Sequence, residues 1–122
     1  MLRKLVLRMI LVGGASASVV ACGGAAVPQE ALTAAQASVK GAEVGGATEN
    51  PKAQLHLKLA NEQIEKAKKL IEDGENEEAA RVIARAQADA DLALALAQQA
   101  KALNDAKVAD EQLGKLKKKL NQ

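Results

Sequence analysis

Between Pro51 and Gly114 the sequence contains a single glycine, Gly74, and no proline. Apolar residues in this stretch recur at steps of three and four, which is the spacing of one face of an α-helix. We therefore predict two helices, over 51–73 and over 77–120, with the chain reversing at Gly74. The second would be roughly 66 Å long at 1.5 Å per residue.

The predicted helix ends carry residues suited to capping. Asn50 can accept hydrogen bonds from free N–H groups of the first turn, and Pro51 is preset for the φ of a first helical residue. Gly74 can take the left-handed conformation that closes a helix, and Asn76 can cap the next one. Gly114 costs about 1 kcal/mol relative to alanine in a helix interior, so we expect any break or fraying of the long helix there.

A shorter helix is predicted ahead of these two, over 28–44, ending before Gly45-Gly46. Its apolar face has steps of three, four and three and consists of Leu32, Ala35, Val39 and Ala42. Short connections place consecutive helices antiparallel. The predicted fold class is all-α: an antiparallel helical hairpin or three-helix bundle with a long, coiled-coil-like C-terminal helix, occupying residues 28–122.

The composition limits the core of such a bundle. The chain has no aromatic residue and one cysteine, so no disulfide within the chain can stabilise it. Alanine supplies many of the apolar positions, and alanine buries little surface. We expect a thin core with closely spaced helices and no cavity.

The amino-terminal residues have the parts of a secretory signal peptide. Residues 1–8 hold three basic side chains and no acidic one, and residues 9–21 are thirteen consecutive uncharged residues. That run is shorter than the roughly 20 residues a spanning helix needs. It ends in Val19-Val20-Ala21-Cys22, which resembles the lipobox of bacterial lipoproteins.

This resemblance implies that residues 1–21 are removed by cleavage between Ala21 and Cys22. It also implies that Cys22 carries acyl chains such as palmitate, followed by a short tether that ends at residue 27. Because residue 23 is glycine rather than aspartate, similarity to the enterobacterial sorting pattern implies the outer membrane of a Gram-negative bacterium, facing the periplasm. The alternative is an ordinary signal peptide with an incidental cysteine beside the cut.

A second resemblance lies in the segment 70–90. Gly74, the run Glu77-Glu78-Ala79 and the spaced alanines after it are similar to the alanine-rich lipoproteins of the domain of unknown function 4398 family. The resemblance covers roughly residues 28–103 and implies a helix followed by a helical hairpin in the bacterial envelope. The family has no defined activity, so it implies no mechanism.

Other classes of site find little support. Seventeen basic and fifteen acidic residues include three basic ones in the signal, which leaves 14 against 15 and no basic surface for nucleic acid. His56, the only histidine, is interpreted as a surface or boundary residue, and no metal site is expected. The acids around Gly74 are interpreted as caps and solvated side chains, because they lack the loop spacing of a calcium site. No catalytic constellation is recognised, so we predict no enzyme and no cofactor beyond the lipid.

The end of the long helix is the predicted partner surface. It should extend past the shorter helices and expose Leu113, Leu116 and Leu120, whose heptad-like spacing invites a second helix. Lysines at the same end either form a solvated face or contact anionic cell-wall polymer or lipid: Lys115, Lys117, Lys118 and Lys119. We expect a lipid-anchored structural or interaction protein; the alternative is a self-assembling coiled-coil lipoprotein that spaces the membrane from the cell wall.

Overall fold

A computed structural model of the chain describes residues 24–121, which form three α-helices and, within that range, no strand. Helix α1 spans Gln29–Val44, α2 spans Pro51–Glu72 and α3 spans Asn76–Leu120. The predicted all-α fold with a long C-terminal helix is confirmed. Helix α3 continues through Gly114 without the break that glycine could have caused, in agreement with the predicted range 77–120.

The first two helices end in the same way, through a glycine with positive φ. Gly46 has φ +90° and Gly74 has φ +79°. After α2, the N–H of Gly74 donates to the carbonyl of Ile71 at 3.1 Å, and that of Glu75 donates to the carbonyl of Leu70 at 2.8 Å. This paired arrangement satisfies carbonyls that the helix end leaves free, and it requires a residue without a Cβ.

The two capping predictions for asparagine have different outcomes. The Asn50 side-chain oxygen accepts from the N–H groups of Lys52 and Ala53, at 2.9 and 3.1 Å, so this cap is confirmed. The Asn76 cap is wrong, because α3 begins at Asn76 itself and Glu75 precedes it without a side-chain cap. The Asn76 amide instead donates to the carbonyl of Ala25 at 2.7 Å, a contact formed only once the chain has folded.

The core is a seam of small side chains where α1 and α2 pack against α3. Helix α2 packs most extensively on α3, α1 also packs chiefly on α3, and α1 and α2 touch little. Most of the buried apolar residues are alanines, with Ile83 and Val82 the largest side chains to be fully buried. The described residues include no buried polar or charged residue. Small side chains let the helix axes approach closely. The core is therefore packed by close contact between helices and not by large apolar side chains.

The three helices are aligned so that both short ones run beside the first half of α3. The end of α1 and the start of α2 lie beside residues 96–105 of α3. The chain before α1 lies at the other end, against Asn76. Helix α1 is thus parallel to α3, and α2 is antiparallel to both.

Beyond this bundle, α3 continues as a single helix. Its last buried residue is Ala97, and residues 101–121 are all exposed. The α1–α2 connection still lies beside Lys101, Asn104 and Asp105. From residue 106 to Leu120 the helix extends roughly 21 Å without another described element beside it. We call residues 101–120 the distal arm. Within residues 24–121, no helix combines the length and the apolar character needed to cross a membrane.

Candidate interaction surface

The distal arm has a continuous apolar stripe along one side, and two further exposed apolar side chains, Leu103 and Val108, lie off it. At 100° per residue, its members lie about 110° to 170° around the helix from the middle of the buried face of α3. We call this stripe the distal seam: Ala102, Ala106, Ala109, Leu113, Leu116 and Leu120. The steps alternate between four and three, which is the spacing of positions that meet a partner in a coiled coil.

The three leucines of the distal seam are exposed to solvent. Leu113 is 53% exposed, Leu116 is 56% exposed and Leu120 is 85% exposed. Together with the alanines they form an apolar strip several turns long that no described residue covers. Their exposure agrees with the sequence expectation, whereas their role as a partner surface stays a prediction.

The seam does not continue the buried face of the bundle. If the buried face were extended along the arm, it would run through Asn104, Val108, Glu111 and Lys115, of which only Val108 is apolar. Longer α1 and α2 helices would therefore not cover the distal seam, because they would pack on the other side of α3. Its apolar side points away from the bundle, which leaves room for a helix from elsewhere.

Charge divides the arm into two halves. Residues 101–111 contain three acidic and two basic residues, for a net charge of −1, and residues 112–120 contain four lysines and no acid. Those four are Lys115, Lys117, Lys118 and Lys119. They are exposed, and none forms an ion pair with another described residue. Lys115 and Lys118 lie on the side opposite the leucines, whereas Lys117 and Lys119 flank the seam at its two edges, so the four form no single flat basic face.

The acidic half contains one well-formed ion pair. The Lys101 ammonium lies 2.8 Å from the carboxylate of Asp105, one helical turn away. The hydrogen bond and the charge of Asp105 raise the pKa of Lys101 above its usual value. Both side chains are mostly exposed, so the pair contributes little to stability, and exchanging Lys101 for another cation would cost Asp105 little.

His56 lies at the junction of α2 and α3 and is half-buried. Its Nδ1 lies 2.9 Å from one carboxylate oxygen of Asp89, and the Gln63 amide donates to the other at 2.7 Å. The interpretation of His56 as a boundary residue agrees with this position. Sequence reasoning did not single out Asp89, because its partners are 33 and 26 residues away and only the antiparallel packing of α2 on α3 brings them together.

The predicted lipid attachment lies outside the described residues. Ala21, Cys22 and the whole predicted signal, 1–21, precede residue 24. The first described residues do fix where that part of the chain must join. Since Ala25 accepts from Asn76, the amino end leaves the bundle beside the start of α3, at the opposite end of the molecule from the distal arm.

In residues 24–121 no three histidine, cysteine, aspartate or glutamate side chains converge on one point. The acids near Gly74 are used locally instead: Glu78 lies 2.7 Å from the Arg81 guanidinium. That hydrogen bond and charge hold the pKa of Glu78 below its usual value.

Comparison with known proteins places this architecture in a family. Residues 30–109 match the family described as Domain of unknown function (DUF4398), and the chain belongs to that family. The matched range contains α1, α2 and most of α3 but ends before Leu113. No curated protein and no solved structure matches the chain.

Proposed function

We propose that this chain is a lipid-anchored periplasmic protein that acts, without catalysis, as a structural or protein-interaction module at the outer membrane. Cys22 would carry the acyl chains and the distal seam would contact the partner. Anionic cell-wall polymer or lipid is a secondary contact for the lysines of the arm.

One observation carries the proposal: the amino end and the distal seam lie at opposite ends of the molecule. The chain joins the bundle at Ala25, beside Asn76, while Leu113, Leu116 and Leu120 are exposed on the far part of α3. An anchor at the amino end would therefore hold the seam away from the bilayer, on a stiff helix. Two or three acyl chains, at about 0.8 kcal/mol per buried methylene, would make such an anchor effectively permanent.

The anchor is tested by substituting Cys22 with alanine. Acyl labelling with a palmitate analogue should disappear, the signal should remain uncleaved, and the protein should leave the outer-membrane fraction. A matched control is Ser38→Ala, a change of similar size at a residue in α1. Unchanged labelling and fractionation of the Cys22 variant would contradict the anchor.

The interaction surface is tested by making the seam polar. Leu113, Leu116 and Leu120 are replaced together by glutamine, and association is followed by cross-linking in cells. The control replaces three exposed apolar side chains that lie off the seam: Val44, Leu55 and Leu92. Loss of cross-linked species only in the seam variant supports the proposal, and equal behaviour of both triple variants refutes it.

A further inference from the structure

We propose that the distal seam binds the distal seam of a second copy of this chain, with the two helices antiparallel. The inference rests on the proposed function, for which it names the partner and the orientation. Three features of the described arm carry it: the order of large and small residues, the order of charges, and the direction in which the seam faces.

The order of sizes in the seam favours antiparallel pairing. Its first three members are alanines and its last three are leucines. In an antiparallel pair centred near residue 111, each leucine of one copy lies opposite an alanine of the other. The opposed residues are Leu113 with Ala109, Leu116 with Ala106 and Leu120 with Ala102.

Every layer of that arrangement therefore holds one large and one small side chain. The distance between the helix axes can stay uniform along the whole contact, which is what close packing requires. A parallel pair in register would place alanine on alanine at one end and leucine on leucine at the other. The two helices would have to approach closely at the alanine end and separate at the leucine end.

The order of charges favours the same orientation. Antiparallel copies bring the acidic half of each arm, net −1, against the lysine-rich half of the other, net +4. At the edge of the seam, Asp105 of one copy lies beside Lys119 of the other, and the symmetry of the pair forms this contact twice. In a parallel pair Asp105 would face Asp110, and four lysines would lie beside four lysines.

The bundle does not block a second copy. The α1–α2 connection lies beside Ala97, Ala100 and Asn104, on the buried side of α3, and extends around the helix as far as Asp105 at the edge of the seam. Ala102 is exposed on the other side of α3. The C-terminal end of a second arm can therefore lie along the first arm down to Ala102. The position of the bundle thus permits each of the three leucines to contact its opposed alanine at the same time.

The test is zero-length carbodiimide cross-linking of the complete, lipid-modified chain in detergent micelles, followed by peptide mapping. This reagent joins a lysine amine to a carboxylate only when the two are in contact. Lys119 and Asp105 are 14 residues apart in one helix, or roughly 21 Å, so they cannot be joined within a chain. A Lys119–Asp105 cross-link in a dimer can arise only from antiparallel arms.

We expect that cross-link, and we expect mixed isotopically labelled and unlabelled copies to confirm that it joins two chains. It should be lost in Asp105→Asn and kept in Glu49→Gln, the matched control, which removes an exposed carboxylate off the seam. Its yield should fall as salt is raised, because exposed charges are screened.

Two results would overturn the inference. Links between chains that join residues close in sequence but far from residue 111, such as Lys101 to Asp105, would establish parallel arms, because antiparallel arms hold these two residues roughly 24 Å apart. Links only within chains, at every concentration that stays soluble, would exclude self-pairing. If the chain is monomeric but the seam leucines are still needed to cross-link another protein in cells, this inference fails and the proposed function stands. If replacing the seam leucines changes neither the dimer nor the cross-linking to another protein, the inference and the proposed function both fail.

Discussion

The alanine seam between the helices can be tested with one substitution made at two positions. Ala86 on α3 is fully buried in the core, whereas Ala84, two residues earlier on the same helix, is exposed. Replacing each with leucine adds the same three carbons and changes helix propensity little. At Ala86 the added carbons have no free space, so α3 must move away from α1 and α2 or adopt a strained rotamer.

Overpacking of this kind costs about 1 to 3 kcal/mol, so the free energy of unfolding of Ala86→Leu should fall by that amount. For a chain of this size, each kcal/mol lowers the melting temperature by about 4 to 8 °C. The variant should therefore melt about 4 to 24 °C below the parent. An exposed substitution usually stays within about 0.5 kcal/mol, so Ala84→Leu should melt within a few degrees of it.

Thermal and urea unfolding followed by far-UV circular dichroism measure both variants against the parent. The distal arm contributes equally to all three signals, since neither substitution touches it. If Ala86→Leu and Ala84→Leu unfold alike, the helices are not closely packed at this position. The account of the core as a seam of small residues would then be wrong.

Three further predictions concern single residues. Asn50→Ala should lower the free energy of unfolding by about 1 kcal/mol, because it removes the side-chain acceptor for two N–H groups of α2. Urea titration measures this change, and Gln54→Ala, on the exposed side of α2, is the control. Gly114→Ala should slow amide hydrogen exchange around residue 114 roughly fivefold, because a Cβ there meets no other atom within 4 Å and alanine favours the helix by about 1 kcal/mol; unchanged exchange would mean that the arm is not helical at this point. Arg81→Gln should raise the pKa of Glu78 toward its usual value in an NMR titration, since Arg81 holds it low. Any stability that this pair gives is present above the unfolded-state pKa of the carboxyl and is lost as pH falls through the lowered folded-state pKa, so the variant should differ from the parent least in acid.

The sequence predicts the helices well because their signals are local. The cap at Asn50 and the left-handed glycine at Gly74 act on neighbouring N–H and carbonyl groups, and a spacing of three and four defines a face within a few turns. The same locality explains why α3 passes Gly114. One unfavourable residue costs about 1 kcal/mol, which good helix formers on both sides can offset.

Contacts between distant segments could not be predicted in this way. Asn76 looks like a cap in sequence, yet its amide bonds to Ala25, 51 residues earlier. Asp89 is one acid among many until α2 lies antiparallel to α3 and brings His56 to it. The exposure of Leu113 could be foreseen from helix lengths, but the fact that it faces away from the bundle depends on which side of α3 is buried.

Because α3 runs from the base of the bundle to its tip without interruption, it sets two quantities at once. Its 45 residues hold the two ends roughly 67 Å apart, and the helical repeat fixes the direction in which the leucines point. Seven extra residues in the arm would move the tip outward by about 10 Å and turn the leucines by only about 20°. Two extra residues would move it about 3 Å and turn them by roughly 160°, to the other side of the helix. The length of the arm and the direction in which its leucines point are therefore coupled, and only insertions close to a whole number of turns, such as seven or eleven residues, keep that direction.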